Sequence, residues 1–502
     1  MSKYILAHDL GTSGNKATLF DGEGRMTAAV TEEYGTNIFN SNWAEQDPSD
    51  WWRAVCISTK KVLENINPSD LAAVSFSGQM MACLCVDKIG RPLRDALIYC
   101  DQRSEKQADE LIGRVGFAKI YKITGHRPSS SYSLSKLMWI KENEPDVYAV
   151  THKILQAKDY MNFRLTGEFF TDFNDASGTN AFDISTLSWS EEIIEASGVK
   201  RSLFPDAVAS STMIGEVTKS ASKETGIPAG TPVAAGAGDG GCATIGAGSY
   251  KEGRAYCYMG SSSWVSVTSK TPLEDPDMKT FTWAHPIEGL YQPCGTMQTA
   301  GACFNWLSSF LLGNTDSTSL EQLNNHAAAA APGAGGLFFL PYLLGERSPW
   351  WNPDAKGCFI GLDLNTGRNE AARAVIEGIA MNLNESLKIM KRQTAFDSIM
   401  FIGGGANGGV LRQIFADVIG MKVEIPKLLS EATSMGAALI GGVGSGIYSG
   451  FDMVEKMNPL VSTVENDESL KDFYSKHEAI FTDIYYNLKS SFSKIKSEQE
   501  IS

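Results

Sequence analysis

One turn near the start of the chain gathers most of the residue types needed to hold a phosphate and a metal. In "HDLGTSGNKATLFDGEG" (residues 8–24), Asp9 is followed by Gly11, Thr12, Ser13, Gly14 and Lys16. Glycine allows the turn and exposes backbone N–H groups to a ligand. Thr12 and Ser13 add hydroxyls, Lys16 a cation and Asp9 a carboxylate. Such a set suits a phosphate with a divalent ion such as Mg²⁺. The other reading is an ordinary Gly-Thr-Ser hairpin with an exposed aspartate. The G-x-x-x-x-G-K-[ST] spacing of a P-loop is missing.

Two further glycine clusters follow. In "VAAGAGDGGCATIGAG" (233–248) an apolar strand runs into glycines, and a helix of small residues begins just after Asp239. Asp239 is thereby expected at the carboxyl end of a strand and the amino end of a helix, where ligands of α/β sheets collect. A helix-capping aspartate is the plain alternative. In "FIGGGANGGVLRQ" (401–413), Gly403, Gly405 and Gly408 satisfy G-x-G-x-x-G, with Glu424 about 20 residues on. A dinucleotide-dependent hydride-transfer enzyme is therefore a rival. A nucleotide held by several separated glycine turns accounts for all three clusters, whereas the fingerprint accounts for one.

The elements that must position these residues are legible from periodicity. "KYILAH" and "NKATLF" read as strands on either side of the first turn, and the Asp-Gly of "LFDGEGRM" marks a second tight turn. Three antiparallel strands result, at about 3–8, 16–20 and 26–32. A helix follows at about 49–66, with Asp47 as N-cap and Pro48 at its first position. "DLAAVSFSG" (70–78) is a buried strand, expected parallel to the first. The second half repeats the device. "AYCYMGSSSWVSVTS" (255–269) aligns Gly260, Ser261 and Ser262 with the first turn and Tyr258 with Asp9. Residues 369–393 form a strongly amphipathic helix. Strand, helix, strand and small-residue helix follow, and 470–488 closes the chain as a helix with His477 at the core edge.

With 502 residues the chain has room for two or more domains, and 43% hydrophobic with 20% charged residues is a globular composition. A net charge of −14 without a basic cluster argues against nucleic acid as partner. No apolar run is long enough for a bilayer, and "MSKYILAHDLG" does not read as a leader, so a cytoplasmic location is expected. The nine cysteines show no zinc or redox spacing and are expected reduced.

Along its whole length the chain resembles the FGGY carbohydrate kinases, and most closely their xylulokinase branch. The likeness rests on "DLGTSGNK", "WAEQDPSDWW", "SGQMM", "SYSLSKLMWIKEN", "AKDYMNFRLTGE", "AGAGDGG", "FLPYLLGERSPWWNPDAKGCFIGL" and "GGGANGGVLRQIFAD". It implies an α/β, two-lobed, actin-like fold of duplicated RNase H-like cores, with sugar and ATP in the cleft between lobes 1–249 and 250–502. It implies Asp239 as catalytic base and Asp9 as the acid near Mg²⁺. Gln79 and Met80 fall in the sugar pocket, with Met81, Asp101 and Gly240 as further candidates. Gly11, Thr12, Ser13 and Lys16, the turn Gly260, Ser261 and Ser262, and Gly404, Gly405 and Asn407 are the expected ATP contacts. A monomer or homodimer is expected. Three departures from the family pattern bear on the sugar: Met81 where histidine is usual, Gly240 where asparagine is usual, and His8 before Asp9. A pentulose is the first substrate expected; a tetrulose, a polyol such as erythritol, ribulose or a branched ketose are alternatives. An actin-like chaperone ATPase is disfavoured, because only a short segment follows Pro459.

Overall fold

The computed structural model describes residues 3–499. The opening strands are β1 Tyr4–Leu10, β2 Gly14–Asp21 and β3 Met26–Glu33, paired antiparallel in sequence. Helix α1, Pro48–Leu63, begins where the sequence predicts, with the Asp47 carboxylate accepting from the Ser49 N–H. Strand β4, Leu71–Gly78, lies parallel to β1 on the side away from β2. Its residues are nearly all buried, as expected of a strand covered on both faces. Between β4 and the remaining strands of this sheet lies a short helix, α2, Phe173–Ser177. Strands β5 Met213–Glu216, β6 Pro232–Ala234 and β7 Ala237–Gly238 complete the first sheet, in the order β5-β6-β4-β1-β2-β3, with β7 also on β4. Helix α3, Asp239–Gly246, starts at once after β7.

The second half rebuilds this layout. Strands β8 Ala255–Met259, β9 Ser263–Val267, β10 Phe281–Ala284 and β11 Tyr291–Met297 precede helix α4, Gly301–Leu312. After α5, Arg368–Lys391, come β12 Ser398–Ile402, α6 Gly409–Ile419, β13 Lys422–Pro426 and α7 Ala432–Gly444. Strand β14, Leu460–Val464, and helix α8, Lys471–Gln499, close the chain. The sheet order is β10-β11-β9-β8-β12-β13-β14. As β4 is parallel to β1, so β12 is parallel to β8. The duplication inferred from the two hairpins therefore extends to strand order. The last register pair is Leu10–Asn15 in the first hairpin and Met259–Ser263 in the second, enclosing four and three residues.

Each half has its own apolar core, and a third cluster joins them. In that cluster α7, from the second half, packs with α3 against Ile5, Ala7 and Ala73 of the first sheet. Small residues make the crossing possible: a Cβ on Gly246 would stand 1.9 Å from the Ala432 carbonyl oxygen, and one on Gly436 1.9 Å from that of Cys242. The closing helix runs past the predicted 488 to Gln499, and His477 is buried in it, stacked on Phe338. All nine cysteines are free. No helix among the described residues is long and apolar enough to cross a membrane.

Candidate active site

The glycine clusters meet where parallel strands of both sheets end. Gln79 N–H donates to the Leu10 carbonyl at 2.9 Å, joining the ends of β4 and β1. Gly403 N–H donates to Leu429 O at 2.8 Å. A Cβ on Gly403 would lie 2.6 Å from the Met259 carbonyl oxygen, and one on Gly405 2.4 Å from Met259 Cγ. Gly403 sits at φ 92°, a conformation suited to glycine. The 404–407 turn is thereby pressed onto the end of β8, beside the second hairpin turn.

Asp9 lies near the end of β1, half-buried, opposite Lys16 in the hairpin register. Its Oδ1 accepts from Ser77 Oγ at 3.2 Å. Burial pushes its pKa up to about 6; the Ser77 hydrogen bond and Lys16 pull it down, and Glu431 pushes it up. Asp239 is the first residue of α3. Its carboxylate reaches solvent, and its Oδ1 accepts from Gly240 N at 2.7 Å. Protein crowds it on the other sides. That desolvation, with the Asp9 charge second, pushes it up to about 7. A carboxylate so raised is poised to exchange a proton near neutrality.

Lys16 does not stand free. Its Nζ is 2.6 Å and 2.8 Å from the two oxygens of Glu431, just before α7. The first turn is held from behind by its carbonyls: Gln46 Nε2 donates to Thr12 O at 2.7 Å, Tyr34 N to Ser13 O at 3.1 Å, and Tyr34 OH to Gly11 O. The Gly11 N–H is spent inside the turn on Gly14 O at 3.0 Å, and the Ser13 side chain is exposed on the open side. In the second turn Ser261 and Ser262 are exposed, and Gly301 N at the start of α4 donates to Gly260 O at 3.0 Å. Gly404 and Asn407 are exposed in a 3₁₀ turn, with Asn407 Nδ2 donating to Gly404 O. Glu424, the residue a dinucleotide fingerprint would assign to a ribose, points instead to Arg254 at 3.6 Å.

On the sugar side Gln79 is buried and donates to Gln46 Oε1 at 2.7 Å, leaving its own Oε1 without a partner. Gln46 thus links pocket and phosphate turn. Met80 is buried against Tyr132, Phe281, Trp283 and Cys294, with Met81, Trp264 and Trp351 at the edge of the same cluster. Met81 has φ 65°, and its carbonyl accepts from the buried Lys136 Nζ at 2.9 Å. Gly240 has open space: a Cβ there would meet only Met80 Sδ, at 3.9 Å. Asp101 departs from the expectation. It is fully buried, accepts from Ala44 N at 2.7 Å, and is paired with Arg103 at 2.8 Å, so its carboxylate braces the wall instead of facing a ligand. Reading the sequence by motif overlooked Gln46, Lys136 and Glu431 as contributors. The first two lie inside the family-like stretches 43–52 and 131–143; for Glu431 only proximity in the fold gives the signal.

One carboxylate with an adjacent hydroxyl, next to turns rich in N–H groups, fits Mg²⁺ held mostly by water and phosphate oxygens. Among the described residues no group of three or more His, Cys, Asp or Glu side chains could cage an ion alone.

Two sheets of one topology, with acids and glycine turns at their joined strand ends, are the layout of an actin-like phosphotransferase. The chain belongs to the FGGY family of carbohydrate kinases: the family's N-terminal domain matches residues 4–246 and its C-terminal domain residues 255–445. It is therefore an ATP-dependent sugar kinase. It is 31% identical over 493 residues to a xylulose kinase of Staphylococcus epidermidis, covering 96% of this chain and 97% of that one. Among solved structures it is similar to a gluconate kinase from Lactobacillus acidophilus, with TM-score 0.93, 26% identity, and 99% and 100% of the two chains covered. A ligand-bound xylulose kinase from the same organism gives TM-score 0.92 and 26% identity over 98% and 100%.

Proposed function

We propose that this chain transfers the γ-phosphoryl group of ATP to a hydroxyl of a small ketose, with a pentulose such as D-xylulose as first choice. The observation that carries the reading is Asp239. It is a solvent-reachable carboxylate at a strand end, raised towards neutrality first by desolvation and then by repulsion from Asp9. Asp239 accepts the proton of the attacking hydroxyl. The new O–P bond forms as the bond from the γ-phosphorus to the bridging oxygen breaks, and ADP leaves. Gly11, Thr12, Ser13, Gly260, Ser261 and Ser262 hold phosphate oxygens, and Gly404, Gly405 and Asn407 border the adenosine. Asp9, with Ser77, would hold Mg²⁺, which when bound offsets phosphate charge. Gln79, Met80 and Met81 line the sugar. Lobes 1–249 and 250–502 follow the division of the strands between the two sheets.

A gluconate-type substrate is the second reading, because the gluconate kinase structure is as similar as the xylulose kinase one. The test is ADP release with D-xylulose, L-xylulose, D-ribulose, erythrulose, erythritol and gluconate, using wild type and Asp239→Asn. One ketose should give the highest kcat/KM, and Asp239→Asn should lose about 10²–10⁴-fold in kcat while still binding ATP. Near-normal turnover in that variant would remove Asp239 from the role. A preference for gluconate would select the second reading.

A further inference from the structure

We infer that Asn174 is a positioning residue for Asp239, clamping the strand end that carries the base to the edge strand of the other half. The inference rests on the reading of Asp239 as base.

Asn174 is completely buried on α2 and spends both ends of its amide across the junction. Its Oδ1 accepts from Gly238 N at 3.1 Å, the residue directly before Asp239. Its Nδ2 donates to Ala284 O at 2.7 Å, the last residue of β10. The first turn of α3 also lies against this amide. A Cβ on Gly241 would stand 2.4 Å from Asn174 Oδ1, so a glycine is what admits the approach.

The clamp is itself anchored in a buried charge cluster. Asn174 N and Asp175 N donate to the two oxygens of Asp172, at 3.0 Å and 3.3 Å. Ser210 Oγ also donates to Asp172, and Lys158 Nζ lies 2.9 Å from its other oxygen. Lys158 is in turn 2.6 Å from Asp159 and 3.2 Å from Asp175, all four side chains being essentially without solvent contact. Such a network holds its members in one geometry, since a lost partner leaves a buried charge unpaired.

Asp239 needs this support. Its one hydrogen bond is to the N–H of the next residue, so its direction is set by the backbone around it. A displacement of about 1 Å at a reacting group costs on the order of 10²-fold in rate.

The test compares Asn174→Ala with Ser177→Ala. Ser177 Oγ accepts from Ala284 N at 3.2 Å, so its loss weakens the same helix-to-strand contact without touching Gly238. Asn174→Ala is expected to lower kcat by about 10–100-fold, with the KM values for sugar and ATP within about threefold of wild type. Ser177→Ala is expected to leave kcat within about twofold. In an Asp239→Asn background, Asn174→Ala should cost little more, because it acts through the base. Equal loss in both backgrounds, or a rise in both KM values with kcat unchanged, would overturn the inference. Should Asn174→Ala fail to fold, Gly241→Ala pushes the same amide aside from α3 and must show the same kcat loss. If Asp239→Asn itself keeps its rate, the assignment of the base fails. If it is inactive while Asn174→Ala and Gly241→Ala are normal, only the positioning role fails.

Discussion

At the scale of single residues, two carboxylates and one methionine set the behaviour to be measured. Asp239 is raised to about 7, first by desolvation and then by Asp9. A base works only when ionised, so activity is lost as pH falls through the folded-state value and is complete above it. The acid limb of kcat/KM is expected near pH 7, with about a tenfold fall for each unit below. A profile flat down to pH 5 would show that no such group acts. Met81 bears on the choice of sugar. Its φ of 65° is uncommon for a residue with a side chain, and Lys136 fixes its carbonyl there. Histidine tolerates this region better than most residues, so Met81→His is compatible with the backbone. A site that pairs a buried hydroxyl rejects analogues lacking it by as much as ~10⁴-fold. Met81→His should therefore raise kcat/KM for D-xylulose relative to the other sugars of the panel. An unchanged rank order across the sugars would mean that residue 81 only packs at the edge of the apolar cluster around Met80, and Gly240, with room for a side chain, would be the next position to change.

At the scale of elements, the first hairpin and the amino end of α7 meet through Lys16 and Glu431. The pair is partly exposed, so its contribution to stability is small, about 1 kcal/mol or less. Its consequence is for the nucleotide: a triphosphate approaching the turn competes with Glu431 for the lysine. Glu431→Gln is expected to lower the KM for ATP by up to about fivefold at low salt, with little change in Tm. A KM raised tenfold would mean that Glu431 aims the lysine at the phosphate. The hairpin was readable from sequence because apolar alternation and glycine turns are local signals. So was α1, whose Asp47 cap and Pro48 adjoin in the chain. The Lys16–Glu431 pair was not readable, since 415 positions separate its members. Asp101 was a candidate for the sugar pocket, and its pairing with Arg103, two residues on and stacked against Trp43, is set by the fold packed around both. Sequence shows which groups are chemically able. Which of them already have partners depends on long-range packing.

At the scale of the whole molecule, the two halves touch through helices that only small residues allow to cross. Helix α3 starts with the base and ends at Gly246 against the Ala432 carbonyl, and α7 brings Gly436 to the Cys242 carbonyl. Any change in spacing between these helices therefore moves Asp239 relative to the nucleotide side. Gly436→Ala tests the coupling. The added methyl meets Cys242 backbone atoms at 1.9, 2.5 and 2.7 Å, and backbone cannot step aside as a flexible side chain would. Overpacking of this kind destabilises by roughly 1–3 kcal/mol. Helix propensity works the other way, by about 1 kcal/mol in favour of alanine, so a net loss must come from the crossing. Gly113→Ala, inside the helix Glu105–Val115 with no atom within 4 Å of the new Cβ, supplies the contrast and should be neutral or slightly stabilising. Thermal unfolding of the two variants, read with kcat for the preferred sugar, separates the effects. Gly436→Ala should lower both Tm and kcat, and Gly113→Ala neither. If Gly436→Ala kept full kcat at a lowered Tm, the crossing would be a structural contact without leverage on the base.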